Sequence, residues 1–413
     1  MTSPGGSGPN RAREKLPASG GIGRRDIALS LSGGGFRATC FHLGVLKKLH
    51  ELGLLERVGL ISSVSGGSIL AGLYATSLVN HESFDEFLCD AHAFVTQGWS
   101  LDWPAMLHDF LPWSKSSRGL ERRYRRAFKY RDGRPIMLRD LEGLPPLLVF
   151  NATAVHSGAG WRFLSGGKAD HWDLGFTHSR AFETRFTRYH CDVPLSVAVA
   201  ASSAFPTFTA VTIPREQLQE TGERSVPDPE VASVVALLNP VLPDPVALSD
   251  GGVLDNLGIT SIMAGMSPPE SPTSFYLIAS DAGAMIKQLR SPPTGRFRKL
   301  RYVMRQFDMR GGHNEDMTQF LALIHYRSVK PMGLAMFRIQ RAVPHAGETL
   351  DQVRDLATIR TRLEPLPEDK YDALLRHGGN LVWTRLTEYT DLLPPEREMP
   401  GAVKRRRVEP AGE

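Results

Sequence analysis

The stretch Ile61-Ser62-Ser63-Val64-Ser65-Gly66-Gly67-Ser68 places Ser65 between an extended apolar segment and two glycines that open a helix. We predict a strand over residues 60–64 and a helix through 68–78, joined by a tight turn at Ser65. Such a turn pushes a side chain out of the end of a sheet, and small neighbours allow the backbone to make it. The string alone also fits a simple turn.

A second glycine cluster, Gly33-Gly34-Gly35, lies between an apolar run at 27–31 and a segment at 39–52 with helical spacing of apolar residues. We predict a strand and a helix there, so the glycines present backbone N–H groups to a ligand at close range. The spacing fits neither the Walker A sequence nor the dinucleotide-binding pattern. An oxyanion hole for acyl transfer fits it better.

Two charged residues accompany these clusters. A serine hydroxyl needs a base to take its proton, and Asp250 ends an apolar stretch directly before two glycines. Asp-Gly-Gly is usually only a turn, but the position at a strand end favours a catalytic role. Arg37 lies in the first turn of the helix after the glycines. Support of the loop, contact with a substrate phosphate and a structural salt bridge all fit this position.

The remaining pattern predicts an α/β domain. Further strands are expected at 146–154 and 275–280 and an edge strand at 333–340, so strand–turn–helix units argue for a parallel sheet. We divide the chain into a disordered tail (1–25), a folded domain (26–390) and a disordered basic tail (391–413). Within the domain we expect a helical insert (85–140), an irregular loop (214–245) with at most a short helix at 231–238, and an extension (285–390).

Composition narrows the class of protein. The chain of 413 residues is 41% hydrophobic and 23% charged, as in ordinary globular proteins, and carries a net charge of +5. Three cysteines give neither a metal-binding spacing nor a disulfide framework, which favours a reducing compartment. We see no targeting signal and no membrane span. The prediction is a cytoplasmic protein, peripheral to a membrane at most, with no metal and no cofactor.

Three motifs in order, Gly-Gly-Gly-Phe-Arg-Ala (33–38), Val-Ser-Gly-Gly-Ser (64–68) and Asp-Gly-Gly (250–252), resemble the patatin-like phospholipase family. The first motif is similar to that of the cytosolic phospholipase A2 branch. The segments 150–153 and 200–206 match too, and the resemblance covers 26–259 with a weaker extension to about 386. It implies a three-layer α/β/α fold with a mostly parallel central sheet, a helical insert and a C-terminal α/β extension.

The resemblance also implies a Ser-Asp dyad without histidine. Ser65 would attack the ester carbonyl, Asp250 would accept its proton, and the loop Gly33-Gly34-Gly35 would hold the oxyanion through the amides of Gly34 and Gly35. Arg37 would lie near the lipid phosphate. The implied activity is that of a serine hydrolase that cleaves the carboxylic esters of phospholipids or lysophospholipids.

The chain departs from the family pattern at two positions. Ser63 stands where the serine motif usually begins with glycine, so we expect backbone strain there. Asn256-Leu257-Gly258 lacks the proline that commonly follows the asparagine, which bears only on local structure.

Other interpretations fit the same residues. A Ser-His-Asp hydrolase is compatible with the chain order, because His313, His325 and His345 follow Asp250, although none has a convincing catalytic context. His42 and His50 suit surface or packing positions. Asp281 competes with Asp250 as an aspartate at a strand end. The chain is also compatible with a catalytically silent lipid-binding protein, or with an effector held inactive until a signal opens its lid.

The insert points to a lipid surface. Trp99, Trp103 and Trp113 lie in it, and over 115–134 nine Lys/Arg face two acidic residues, a local net charge of +7. Aromatic and apolar side chains beside a basic helix suit docking on an anionic bilayer through 99–134. A lid core with a solvated basic face is the alternative. We see no nucleic-acid-binding motif, and the oligomeric state stays open.

Overall fold

The computed structural model describes eight stretches of the chain, residues 24–97, 118–176, 182–205, 210–221, 242–263, 268–271, 274–283 and 332–393. Trp99, Trp103, Trp113 and the predicted helix at 231–238 lie outside them, as do most of the two predicted tails. Residues 391–393 of the C-terminal tail are described. Leu392 and Leu393 are buried and Tyr276 donates a hydrogen bond to Asp391, so the folded part extends past the predicted boundary at 390.

Five parallel strands form the centre of the sheet. In spatial order they are β11 (Gly333–Arg338), β10 (Tyr276–Asp281), β1 (Ile27–Leu31), β2 (Val58–Ser63) and β3 (Leu147–Ala154). In β1, Leu31 pairs with Ser63 on one side and Ser280 on the other. The carboxyl ends of β1, β2 and β10 therefore meet at one edge, where open α/β sheets place their ligand sites.

Antiparallel strands extend the sheet beyond β3. Strands β4 (Gly160–Leu164), β5 (Lys168–Phe176), β6 (Phe182–His190) and β8 (Gln219–Glu220) follow in order, and β9 (Val246–Asp250) pairs with both β3 and β7 (Val211–Ile213). The pairing of β9 with β3 sets Asp250 opposite Ala152. This pairing carries Asp250 towards the carboxyl end of β2, since Phe150 of β3 pairs with Ser63.

Helices cover the sheet. They are α1 (Gly35–Glu51), α2 (Gly66–Val79), α3 (Phe84–Thr96), α4 (Arg118–Ala127), α5 (Leu195–Ser202), α6 (Thr260–Met263), α7 (Leu350–Ala357) and α8 (Glu368–Tyr389). Alternate side chains of β1 point to opposite faces of the sheet. Leu29 and Leu31 pack in the core with α1, α2 and α8, whereas Ala28 packs with Leu257 and Ile259 on the other face. The predicted three-layer α/β/α fold with a parallel central sheet is confirmed.

The two helices that begin nearest the site start earlier than predicted. Helix α1 begins at Gly35 rather than near residue 39, because Gly34 and Gly35 adopt φ of 145° and 59° and turn the chain at once. Helix α2 begins at Gly66, directly after Ser65. Both helix N-termini therefore lie closer to the predicted site than the hydrophobic pattern indicated.

The C-terminal extension is part of the same core. Strand β11 pairs with β10, which confirms the edge strand predicted over 333–340. Helix α8 crosses α1 at very short range: a Cβ on Gly44 would lie 2.0 Å from the Leu375 carbonyl oxygen, and one on Gly378 would lie 2.2 Å from that of Phe41. Only glycine fits at these two points, so backbone packs on backbone.

Within the insert, α4 has one face in the core and one in solvent. Leu120 and Tyr124 are buried, whereas Arg122, Arg125 and Arg126 are exposed. No helix in the described stretches is long and apolar enough to cross a membrane.

Candidate active site

Ser65 occupies a strained turn between β2 and α2. Its backbone has φ 49° and ψ −112°, a conformation that costs a non-glycine residue of order 1–3 kcal/mol. The strain predicted at Ser63 is thus found two residues later, at Ser65. The turn packs directly on the glycine loop: a Cβ on Gly66 would lie 2.2 Å from the Gly35 carbonyl oxygen. Glycine at 66 is what lets the two loops meet.

The hydroxyl of Ser65 lies beside the buried carboxylate of Asp250, where it favours the ionised form of this group. The serine side chain makes no capping bond to its own helix, so it is available for this contact. The Asp250 carboxylate also accepts a hydrogen bond of 2.7 Å from the Gly252 amide. Burial raises the pKa of Asp250 to about 6, while the bonds from Gly252 and Ser65 act in the opposite direction. The group is therefore a stronger base than an exposed aspartate.

The glycine loop lies beside Ser65. A Cβ on Gly33 would lie 3.2 Å from the Ser65 Cβ and 2.3 Å from Oδ1 of Asn256. Gly34 and Gly35 stand at the start of α1, where N–H groups have no acceptor within the helix and the helix dipole favours a negative charge. The structure thus brings the predicted loop, nucleophile and base together.

Arg37 lies beneath this loop and is 1% exposed. Its guanidinium donates to the carbonyl oxygens of Ala282 and Ile359, and a Cβ on Gly34 would lie 2.7 Å from its Nη2. These contacts brace the glycine loop against two other segments. Contact between Arg37 and a substrate phosphate stays a prediction.

The loop after Asp250 is held without the proline of the family pattern. Asp255 accepts hydrogen bonds from the amides of Leu257 and Thr260, which close the loop on itself. The carbonyl oxygens of Leu257 and Gly258 accept from Ser30 of β1 and Ser62 of β2. Asn256 reaches the glycine loop, since its carbonyl oxygen accepts from the Gly33 amide at 2.9 Å. The loop that carries the base is therefore tied to the loop proposed to hold the oxyanion.

One element of the site was not predicted from the sequence, the segment 202–204 at the C-terminal end of α5. The Ser65 amide donates to both the carbonyl oxygen and the hydroxyl of Ser202, at 3.1 and 3.2 Å, and the Asp250 amide donates to the Ala204 carbonyl oxygen. Between them, Ser203 lies 2.9 Å from the hydroxyl of Tyr124 on α4. The segment was matched to the family as Ala-Ala-Ser-Ser-Ala-Phe-Pro, but its string of small residues carries no sign of this role.

The alternative catalytic residues within the described stretches make contacts with residues other than Ser65. His345 is exposed and contacts Thr384, and His313 and His325 fall outside the described stretches. His42 is buried between Ser280 and the Ser32 carbonyl, and burial lowers its pKa to about 3. Asp281 accepts from the Gly283 amide at 2.8 Å. Among the described residues no cluster could hold a metal ion.

The fold and the site define an α/β/α protein with a serine on a strand–helix turn and a buried aspartate beside it. The patatin-like phospholipase family matches residues 29–263, more than half of the chain, and the chain belongs to that family. At the family level this supports a lipid acyl hydrolase.

The chain also matches solved structures, among them two of human GIVD cytosolic phospholipase A2. One is a complex with methyl gamma-linolenyl fluorophosphonate, at 13% identity, and the other also contains terbium chloride, at 12% identity. In both, the TM-score is 0.41 and the match covers 88% of this chain. This chain spans only 58% of the length of those two chains. No curated protein matches the sequence.

Proposed function

We propose that this chain hydrolyses carboxylic ester bonds of phospholipids or lysophospholipids through a Ser65–Asp250 dyad. One observation carries the proposal: the Ser65 hydroxyl, on a strained turn at the N-terminus of α2, lies beside a buried aspartate whose pKa is raised to about 6. Family membership supports the lipid class of substrate.

In this mechanism Asp250 takes the proton of Ser65 while the serine oxygen attacks the ester carbonyl carbon. The amides of Gly34 and Gly35 stabilise the oxyanion of the tetrahedral intermediate. When the intermediate collapses, the carbon–oxygen bond to the glycerol oxygen breaks and Asp250 returns the proton to that oxygen. Water then attacks the acyl-serine with Asp250 as base again, releasing the fatty acid and restoring Ser65.

Substitution of the dyad tests the proposal. We expect Ser65→Ala and Asp250→Asn to abolish fatty acid release from phospholipid vesicles, and Ser65→Ala to prevent labelling by a fluorophosphonate probe. Two controls should stay active: Ser77→Ala, which removes a hydroxyl bonded to the Tyr74 carbonyl on α2, and Asp281→Asn, at the competing aspartate. An active Asp250→Asn protein together with an inactive histidine variant would contradict the dyad.

We also propose that α4 docks the enzyme on an anionic bilayer surface. Its buried side holds Leu120 and Tyr124, so Arg122, Arg125 and Arg126 face solvent as a cationic side. Arg125 is paired with Glu121, which leaves the charge of the helix strongly positive. The three free cysteines agree with a cytoplasmic location at such a surface.

Vesicle co-sedimentation of the inactive Ser65→Ala protein tests docking apart from catalysis. We expect binding to phosphatidylcholine–phosphatidylserine vesicles and little to phosphatidylcholine alone. The pair Arg122→Glu and Arg126→Glu should abolish this difference, whereas Arg354→Glu, at an exposed cation on α7, should not. Equal binding to both vesicle types would reject the electrostatic docking.

A further inference from the structure

Three serines around the nucleophile form a continuous chain of buried hydroxyls. Ser202 accepts from the Ser65 amide at 3.2 Å, Ser202 and Ser68 lie 2.8 Å apart, and Ser68 donates to Ser63 at 3.0 Å. Ser63 ends the chain by donating to the Val149 carbonyl oxygen at 3.0 Å. All three serines are fully buried, so water does not compete for these bonds.

The proton positions in this chain follow from its last acceptor. A carbonyl oxygen only accepts, and each hydroxyl has one proton. Ser63 therefore gives its proton to Val149, Ser68 gives its own to Ser63, and Ser202 gives its own to Ser68. The lone pairs of the Ser202 oxygen are then left to accept from the Ser65 amide, and all three hydroxyl protons point along the chain from Ser202 towards Val149.

We infer that Ser202, Ser68 and Ser63 are positioning residues that hold the Ser65 backbone in the conformation that aims its hydroxyl at Asp250. The inference rests on the proposed function and explains the departure at Ser63. Glycine, the usual residue there, would leave the Ser68 proton without the Ser63 acceptor. In this chain a side chain from β2 completes the support of a turn that begins two residues later.

The variants Ser202→Ala, Ser68→Ala and Ser63→Gly test the chain by kinetics on a soluble ester. We expect kcat to fall and KM to stay unchanged, since none of the three serines is proposed to touch substrate. We expect kcat to fall about fivefold in Ser202→Ala, which corresponds to the loss of one neutral hydrogen bond. The decrease should be smaller in Ser68→Ala and smaller again in Ser63→Gly, because these residues lie further from Ser65 along the chain. Ser68→Ala with Ser202→Ala should lose no more than Ser202→Ala alone, because both break the same chain.

Fluorophosphonate labelling and thermal melting separate positioning from general stability. The labelling rate should fall in step with kcat, whereas Ser77→Ala, a buried hydroxyl on the same helix, should lower the melting temperature without slowing labelling. Additive losses that track the melting temperature, or unchanged labelling rates in all three variants, would overturn the inference. A wild-type protein unlabelled at Ser65 would instead refute the proposed function. If Ser202→Ala does not fold, Ser68→Ala and Ser63→Gly still decide.

Discussion

In the proposed mechanism only the ionised form of Asp250 can take the Ser65 proton, so acidification should inactivate the enzyme with a midpoint near pH 6. Burial raises the pKa of Asp250 to about 6 from an ordinary value of 3.8, against the hydrogen bonds from Gly252 and Ser65. The ionised fraction then falls from about 91% at pH 7 to about 9% at pH 5, so kcat/KM should fall about tenfold over that interval.

The measurement is the initial rate on a soluble, uncharged fatty acid ester, so that only the protein titrates. A base with the ordinary pKa of 3.8 would keep about 94% of its activity at pH 5, and that result would refute the role of burial. A histidine base also titrates near this pH, so the profile should be taken at two temperatures. The pKa of a carboxyl group hardly changes with temperature, whereas that of imidazole falls on warming. A midpoint that falls on warming would refute the aspartate as base.

Three further predictions concern stability and the two close backbone contacts. Ionisation of Asp250 opposes folding increasingly as the pH rises from 3.8 to about 6, because the pKa of this group is higher in the folded than in the unfolded chain. Asp250→Asn should therefore stabilise the protein by up to roughly 3 kcal/mol at pH 8 and by much less near pH 4, measured by denaturant unfolding. Gly35→Ala should abolish esterase activity, since φ at this residue is 59° and the new Cβ would lie 2.5 Å from the Arg362 carbonyl oxygen. The control Gly53→Ala has a similar φ of 68° but lies in open space, so it should lower the free energy of unfolding by only about 1–2 kcal/mol and stay active. Gly378→Ala should destabilise the packing of α8 on α1 by about 1–3 kcal/mol, measured by thermal unfolding. In the same measurement Gly379→Ala should stabilise the protein by about 0.5–1 kcal/mol, because the nearest atom to its new Cβ is 3.5 Å away.

Local sequence was enough to predict the centre of the fold. The apolar run at 27–31 is β1, and the glycine cluster and serine motif follow their strands as expected, because these signals lie within a few neighbouring residues. Predicted helix starts were late because glycine carries no hydrophobic signal, although its freedom at positive φ is what starts α1 at Gly35. The antiparallel strands β4 to β6 were not predicted, since their residues include many polar side chains and no glycine-rich strand–helix turn.

Long-range support of the site was harder to predict. Ser202 and Tyr124 contact the site across wide separations in sequence. Tyr124 stands in no recognisable motif, and the segment around Ser202, although similar to the family, carries no sign of this role. Ser63 did attract notice as a departure from the family pattern. Strain was expected there because a side chain replaces glycine, yet Ser63 lies in the regular strand β2 and the positive φ falls on Ser65. A residue that breaks a pattern can therefore mark new bonding rather than strain.

The base of the proposed dyad is a buried carboxyl group of raised pKa, and one segment of this fold contributes to its alignment with Ser65. Residues 202–204 accept from the amides of Ser65 and Asp250, so the two reacting side chains are fixed to the same short piece of backbone. Ser203 in that segment contacts Tyr124, and burial raises the pKa of Tyr124, which keeps its hydroxyl protonated. Because Tyr124 belongs to α4, the helix proposed to dock on the bilayer is joined by one side chain to the segment that holds the proposed dyad. The proposed alignment of the dyad and the proposed contact with the lipid surface would thus be properties of one connected structure.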